Sequence, residues 1–119
     1  MIKIYFYTLK ETARKFSFLK NFILLKEFIN TSKGFIRFKL ELKDGSEIHV
    51  FEYVKTPKEV IDYSYHWQDK DKNLVMRWDN APHHPELNNS PYHVHIKEQI
   101  KSSRKLTFNE VLEIVEECS

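Results

Sequence analysis

The sequence predicts an α+β fold: an antiparallel meander of about five strands with a helix at the C-terminus and another at the N-terminus. Three observations lead there. Apolar and polar residues alternate in several runs from Phe35 onward; an Asp-Gly pair and a polar tetrad separate those runs; and Thr107 with Glu110 opens an amphipathic segment in the capping-box pattern. A chain of 119 residues is long enough to bury a modest core without disulfides or metal staples, and no repeat, low-complexity tract or linker divides it, so one domain over residues 1–119 is expected.

At the N-terminus, Thr8 and Glu11 have capping-box spacing, and Leu9, Ala13, Phe16 and Leu19 would share one helical face. The run Ile2 to Tyr7 ahead of them also suits a strand. Phe22 to Asn30 is apolar and aromatic and leads through Thr31 to Gly34 into Phe35–Lys43, where Ile36, Phe38, Leu40 and Leu42 alternate with polar or charged residues as in a half-buried strand. Asp44-Gly45 reads as a two-residue type I′ hairpin turn. The next strand spans Ser46 to Val54.

After Pro57, the segment Val60 to Gln68 places Tyr63, Tyr65 and Trp67 on one face and Ser64, His66 and Gln68 on the other. A polar turn, Asp69 to Lys72, joins it to Leu74–Asp79, with Leu74, Met76 and Trp78 opposite Val75, Arg77 and Asp79. Pro82, Pro85 and Pro91 exclude a regular helix or central strand from the stretch that follows. Tyr92 to Lys97 alternates again, with His93 and His95 on one face. The last element is the helix that starts at Thr107 and ends near Cys118, with Leu106 and Val111 as its hydrophobic staple.

Composition excludes several classes. Aromatic content of 14% and charged content of 30% are those of a folded chain rather than a disordered one. The single cysteine, Cys118, leaves no intramolecular disulfide, which fits a reducing cytosol. No cleavable leader and no apolar run of the roughly 18 residues a membrane span needs are present. Net charge is +2, but residues 1–40 carry nine Lys or Arg against two Glu, giving +7. Such a basic third suits nucleic acid or an acidic protein, or is simply a solvated Lys-rich surface.

Chemistry concentrates between Tyr63 and Ile96. All six histidines lie between residues 49 and 95. If the strand faces coincide, one surface carries His66, Arg77, Asp79, His93 and His95, with His83 and His84 delivered by the proline-flanked loop. Imidazoles exchange protons near neutral pH and a guanidinium holds phosphate, a combination suited to cleaving RNA through the ribose 2′-OH with no metal or other cofactor. A metal site built from His83 and His84, or from His93 and His95, with Asp79 is the competing chemistry. Asn80, Pro82 and Pro85 are expected to shape the loop. Tyr63 and Tyr65 read as core, and Glu52 is either a buried partner for Arg77, which would make it a weak candidate base, or a solvated strand end.

Together, Leu42–Glu47 (LKDGSE), Tyr63–Gln68 (YSYHWQ), Arg77–Pro85 (RWDNAPHHP) and Tyr92–Ile96 (YHVHI) resemble the TumE-type toxins of prokaryotic toxin–antitoxin modules. The Asp-Asn-Ala-Pro-His-His-Pro string is the most specific element, and the first thirty residues carry little of the likeness. The resemblance implies a small cytoplasmic toxin, neutralised by a helix-turn-helix antitoxin encoded beside it. Carried over by position, the motif residues are His66, Arg77, Asp79, Asn80, His83, His84, His93 and His95. Tyr92 departs from the pattern, since a further histidine is expected there in family members.

The reading that follows is an endoribonuclease toxin acting on RNA, in which two of His66, His83, His84, His93 and His95 serve as acid and base, Arg77 binds phosphate and Asp79 orients a neighbour. A metal-dependent nuclease and a non-catalytic module that binds nucleic acid or protein are the alternatives. A homodimer is compatible with either.

Overall fold

The computed structural model describes residues 1–56, 59–80 and 92–119. Helix α1 (Ile2–Arg14) is followed by strands β1 (Leu19–Ile29), β2 (Lys33–Leu42), β3 (Glu47–Lys55), β4 (Glu59–Gln68), β5 (Leu74–Asp79), β6 (His93–Ile96) and β7 (Gln99–Ser102), and then by helix α2 (Phe108–Cys118). The strands form one seven-stranded sheet in sequence order, every neighbour antiparallel. The expected α+β meander is present, with seven strands rather than five.

The two additional strands lack the signature that reveals the others. Register shifts between Leu19 and Asn21 and between Leu24 and Lys26 break the period-two pattern of β1. Strand β7 is four residues long and exposed throughout. It pairs with β6 across a turn in which Lys97 takes a φ of 55°, without the glycine that would mark a turn in sequence.

At the N-terminus the helix reading holds, but not its start. Helix α1 begins at Ile2, so Thr8 lies inside it and its hydroxyl donates to Ile4 O at 3.0 Å instead of capping. Ile2, Phe6, Leu9 and Ala13 form the buried stripe, at spacings of three or four residues. Tertiary burial of that stripe overrides the strand preference of the aromatic and β-branched residues around it. Leu19, expected on the same helical face, opens β1 instead.

The Asp-Gly turn also differs from its expected type. Positive φ occurs at Gly45 (88°) but not at Asp44, whereas type I′ needs it at both central residues. Leu42 N donates to Ser46 O and Gly45 N to Leu42 O, so three residues, Lys43 to Gly45, make the loop. Asp44 stabilises it by accepting from the backbone N and Oγ of Ser46 at 2.8 and 2.6 Å.

Both helices pack on one face of the sheet. Phe108 of α2 meets Phe38 edge-on at 5.5 Å and Tyr65 at 6.1 Å between ring centroids. Ile36, Phe38, Leu40, Ile48, Val54 and Tyr65 are all no more than 1% exposed. Each fully buried aliphatic or aromatic side chain contributes about 1.5–3 kcal/mol. The capping box of α2 is formed as expected: Thr107 Oγ1 accepts from Glu110 N at 3.2 Å and Glu110 Oε1 from Thr107 N at 3.0 Å.

Gly34 lets α1 approach β2. A methyl group there would sit 2.7 Å from Phe28 O and little more than 3 Å from Ile2 and Phe6 side-chain carbons. Glu52, 0% exposed, also faces the helices, so it is no partner for Arg77. Its two carboxylate oxygens accept from the hydroxyls of Tyr5 at 2.5 Å and Tyr65 at 2.7 Å. Burial raises the Glu52 pKa above its ordinary 4.5, more than the two tyrosines and Lys105 lower it.

Two predictions follow from this packing. Gly34→Ala is expected to cost about 1–3 kcal/mol, since strand backbone must move to admit it, measured by denaturant unfolding with Gly34→Ser as a bulkier control. Glu52→Ala leaves the Tyr65 hydroxyl buried without its acceptor and costs about 1–3 kcal/mol, while Glu52→Gln recovers part of that. Because the folded-state pKa is raised, Glu52 contributes stability that is present below pH 4.5 and lost as pH rises through the higher folded value. Thermal melts should show that loss in the wild type and a flatter profile in Glu52→Gln.

Candidate functional site

The other face of the sheet carries the ionisable cluster. Antiparallel pairing sets residues of like parity side by side, and two adjacent cross-strand rows result. One row runs His49, His66, Arg77, His95 across β3 to β6. The next runs Arg37, Phe51, Ser64, Asp79, His93 across β2 to β6. His66, Arg77, Asp79, His93 and His95 are therefore brought together on one surface. His83 and His84, with Pro82, Pro85 and Pro91, lie outside the described residues.

Asp79 is the hub. It is 5% exposed, yet its Oδ1 lies 2.7 Å from His93 Nε2 and its Oδ2 lies 3.0 Å from Arg77 Nε and 3.7 Å from His95 Nε2. A buried carboxylate is tolerated only with such compensation, since an uncompensated one would be strongly disfavoured. Trp78, the next residue back, is buried on the opposite face at 2% exposure and anchors β5 in this register. His93 is 3% exposed, whereas His95 and the guanidinium of Arg77 keep part of their surface open to solvent.

Asn80 is scaffold. Its Oδ1 accepts from Tyr63 N at 3.0 Å and its Nδ2 donates to Ile61 O at 2.8 Å, so the side chain replaces ladder bonds where β5 ends. This agrees with the structural role expected for it. Tyr63 and Tyr65 are core residues, 3% and 1% exposed, with stacked rings 5.1 Å apart.

His66 has a perturbed pKa. Burial lowers it from the ordinary 6.5, and the positive charge of Arg77 lowers it further against the opposing hydrogen bond to Gln68. Its Nε2 lies 3.1 Å from Gln68 Oε1, and its Nδ1 is buried with no hydrogen-bond partner among the described residues. At pH 7 the ring is neutral and able to accept a proton.

Beside the Asp79 hub lies a cleft of about 300 Å³ whose lining includes Arg37, His49, Phe51, Ser64, His66 and Arg77. Arg37 and His49 did not emerge as candidates from the sequence. The alternation of Glu47–Lys55 already turned His49 away from Ile48 and Val50, and pairing through the Asp-Gly loop sets it opposite Lys39. Its ring centroid is 6.0 Å from that of His66.

Asp79, His93 and His95 also offer ligand atoms within 4.8 Å of one another, a spacing that three ligands of one metal ion can have. The same Asp79 carboxylate is, however, already in contact with the Arg77 guanidinium, whose charge opposes a dication. This arrangement favours charge pairing with Arg77 over coordination.

No curated protein and no solved structure matches the chain. The family described as Toxin TumE matches over residues 10–118, taking in α2 and every strand. Nearly the whole chain, including the cluster around Asp79, is thus accounted for by one family, and the protein belongs to the TumE toxin family.

Proposed function

We propose that this TumE-family toxin is a metal-independent endoribonuclease. Membership supplies the coarser role, the toxin of a toxin–antitoxin module with an antitoxin as partner. The observation that supports the chemistry is the row in which Arg77 stands between His66 and His95. Two inter-strand spacings put the backbones of those histidines about 10 Å apart, with room for a phosphate on the guanidinium between them.

In this reading neutral His66 takes the proton of a ribose 2′-OH, whose oxygen attacks the adjacent phosphorus. The phosphorus–5′-oxygen bond breaks to leave a 2′,3′-cyclic phosphate, and His95 protonates the departing 5′ oxygen. Arg77 neutralises charge on the phosphoryl oxygens. Asp79 positions Arg77 and His95 and supplies the negative charge beside an imidazolium, and His93 holds the other oxygen of that carboxylate. His83 and His84 remain candidates for the same acid–base work. The antitoxin is taken to be a helix-turn-helix protein encoded next to the toxin, and an isolated gene would count against that.

The deciding experiment is induced expression of wild type, Arg77→Ala and His95→Ala, with growth and total-RNA integrity followed together. Arrest with fragmented RNA is expected for the wild type, and each substitution should slow cleavage by about 10²–10³-fold or more. Arrest with intact RNA would refute the ribonuclease reading. The grouping of Asp79, His93 and His95 favours a metal-dependent nuclease as second reading, and abolition of cleavage by EDTA, restored by a divalent ion, would establish it instead.

A titration tests the base. The His66 imidazole should titrate below 6.5 by NMR, and it should move upward in Arg77→Gln, which removes a neighbouring positive charge. Because the neutral form is the active one, the acid limb of the kcat/KM profile should likewise fall below 6.5. A His66 value unchanged by Arg77→Gln would disconnect the two residues.

A further inference from the structure

The face that holds the ionisable cluster continues beyond it as a surface of alternating rings and cations. On β1 to β3, Phe28 and Phe35 stack at 5.9 Å between centroids, Lys26 Nζ lies 5.7 Å from the centre of the Phe35 ring, and the Arg37 guanidinium lies 4.3 Å from that of Phe51. Phe28 is 45% exposed and Arg37 is exposed, although neither packs on a helix or a strand of another layer. Two shallow depressions meet at Arg37 and Phe51: one leads to His66 and Arg77, the other runs toward Tyr53 and Asp62. The molecule is a slab of 39 × 38 × 20 Å.

We infer that the Lys26–Phe35 and Arg37–Phe51 pairs form a stacking platform that binds single-stranded RNA and leads it to Arg77. The inference rests on the ribonuclease reading for its substrate. Phe35 and Phe51 are half-buried, and the part of each ring left open, with the planar guanidinium of Arg37, can stack on unpaired bases, whose faces a duplex hides, while Lys26 and Arg37 meet the phosphates. Phe51 and Ser64 are cross-strand partners, and Ser64 in turn pairs with Asp79. A base on Phe51 therefore lies two strand spacings, about 10 Å, from the catalytic strand β5.

The test uses the full chain carrying His95→Ala, to prevent turnover, and a fluorescein-labelled 12-nucleotide RNA without self-complementarity, single-stranded or annealed to its complement. Fluorescence anisotropy should show tighter binding of the single strand. Phe51→Ala and Arg37→Lys should each weaken it about tenfold or more, with little effect on the duplex. Arg37→Lys keeps the charge, so its salt dependence should match the parent's while affinity falls. Both side chains face away from the core, and circular dichroism verifies folding.

Parent-like affinity in folded Phe51→Ala and Arg37→Lys overturns the platform, and if wild type still cleaves RNA the ribonuclease reading survives it. No binding of either RNA form by the parent overturns both. Binding through Arg37 and Phe51 with no cleavage by wild type upholds the platform and removes the ribonuclease. Loss of antitoxin affinity with RNA affinity intact assigns the surface to protein docking and overturns the platform.

Discussion

One parity constraint organises this molecule: along each central strand, alternate residues must face the two helices, because a shift of one residue would carry the whole apolar set to the other side. In β2 and β3 the constraint is met without interruption, and Ile36, Phe38 and Leu40 lie beside Val50, Ile48 and Glu52 on the helical face. Where an extra residue enters, as at Ile61 in β4 or in β1, a register shift absorbs it. The opposite parity then has no freedom either. His66, Arg77 and His95 are aligned because Tyr65, Trp78 and Val94 must be buried.

The two buried carboxylates show how the faces differ chemically. Glu52 lies under the helices, where burial raises its pKa even though the Tyr5 and Tyr65 hydroxyls that donate to it oppose the rise. Asp79 lies on the open side, in contact with Arg77, His93 and His95. Glu52 joins α1 to the sheet through Tyr5, while Asp79 holds Arg77, His93 and His95 beside one another on the open face.

The central strands were legible in the sequence because burial of one face imposes strict alternation, and the C-terminal helix was legible because its cap is a local motif. The missing pieces were of another kind. Strand β1 carries two register shifts that scramble its pattern, β7 is too short and exposed to need one, and α1 owes its conformation to contacts with Gly34 and the sheet. The site followed from parity as far as His66, Arg77, Asp79, His93 and His95. Arg37 and His49 were missed since their relevance depends on register across three strands, which no local window of sequence reveals. His83 and His84, prominent in sequence, lie outside the described residues.

Placing both helices on one side is also what makes a site of this composition tolerable. Arg77, Asp79, His93 and His95 could not be buried beneath a helix without losing the hydration that still reaches Arg77 and His95. Leaving that side open keeps Asp79 and His93 shielded by their own neighbours while Arg77 and His95 stay partly accessible. It also obliges Phe28, Phe35 and Phe51 to remain near solvent, where their cost is reduced by the cations set over two of them.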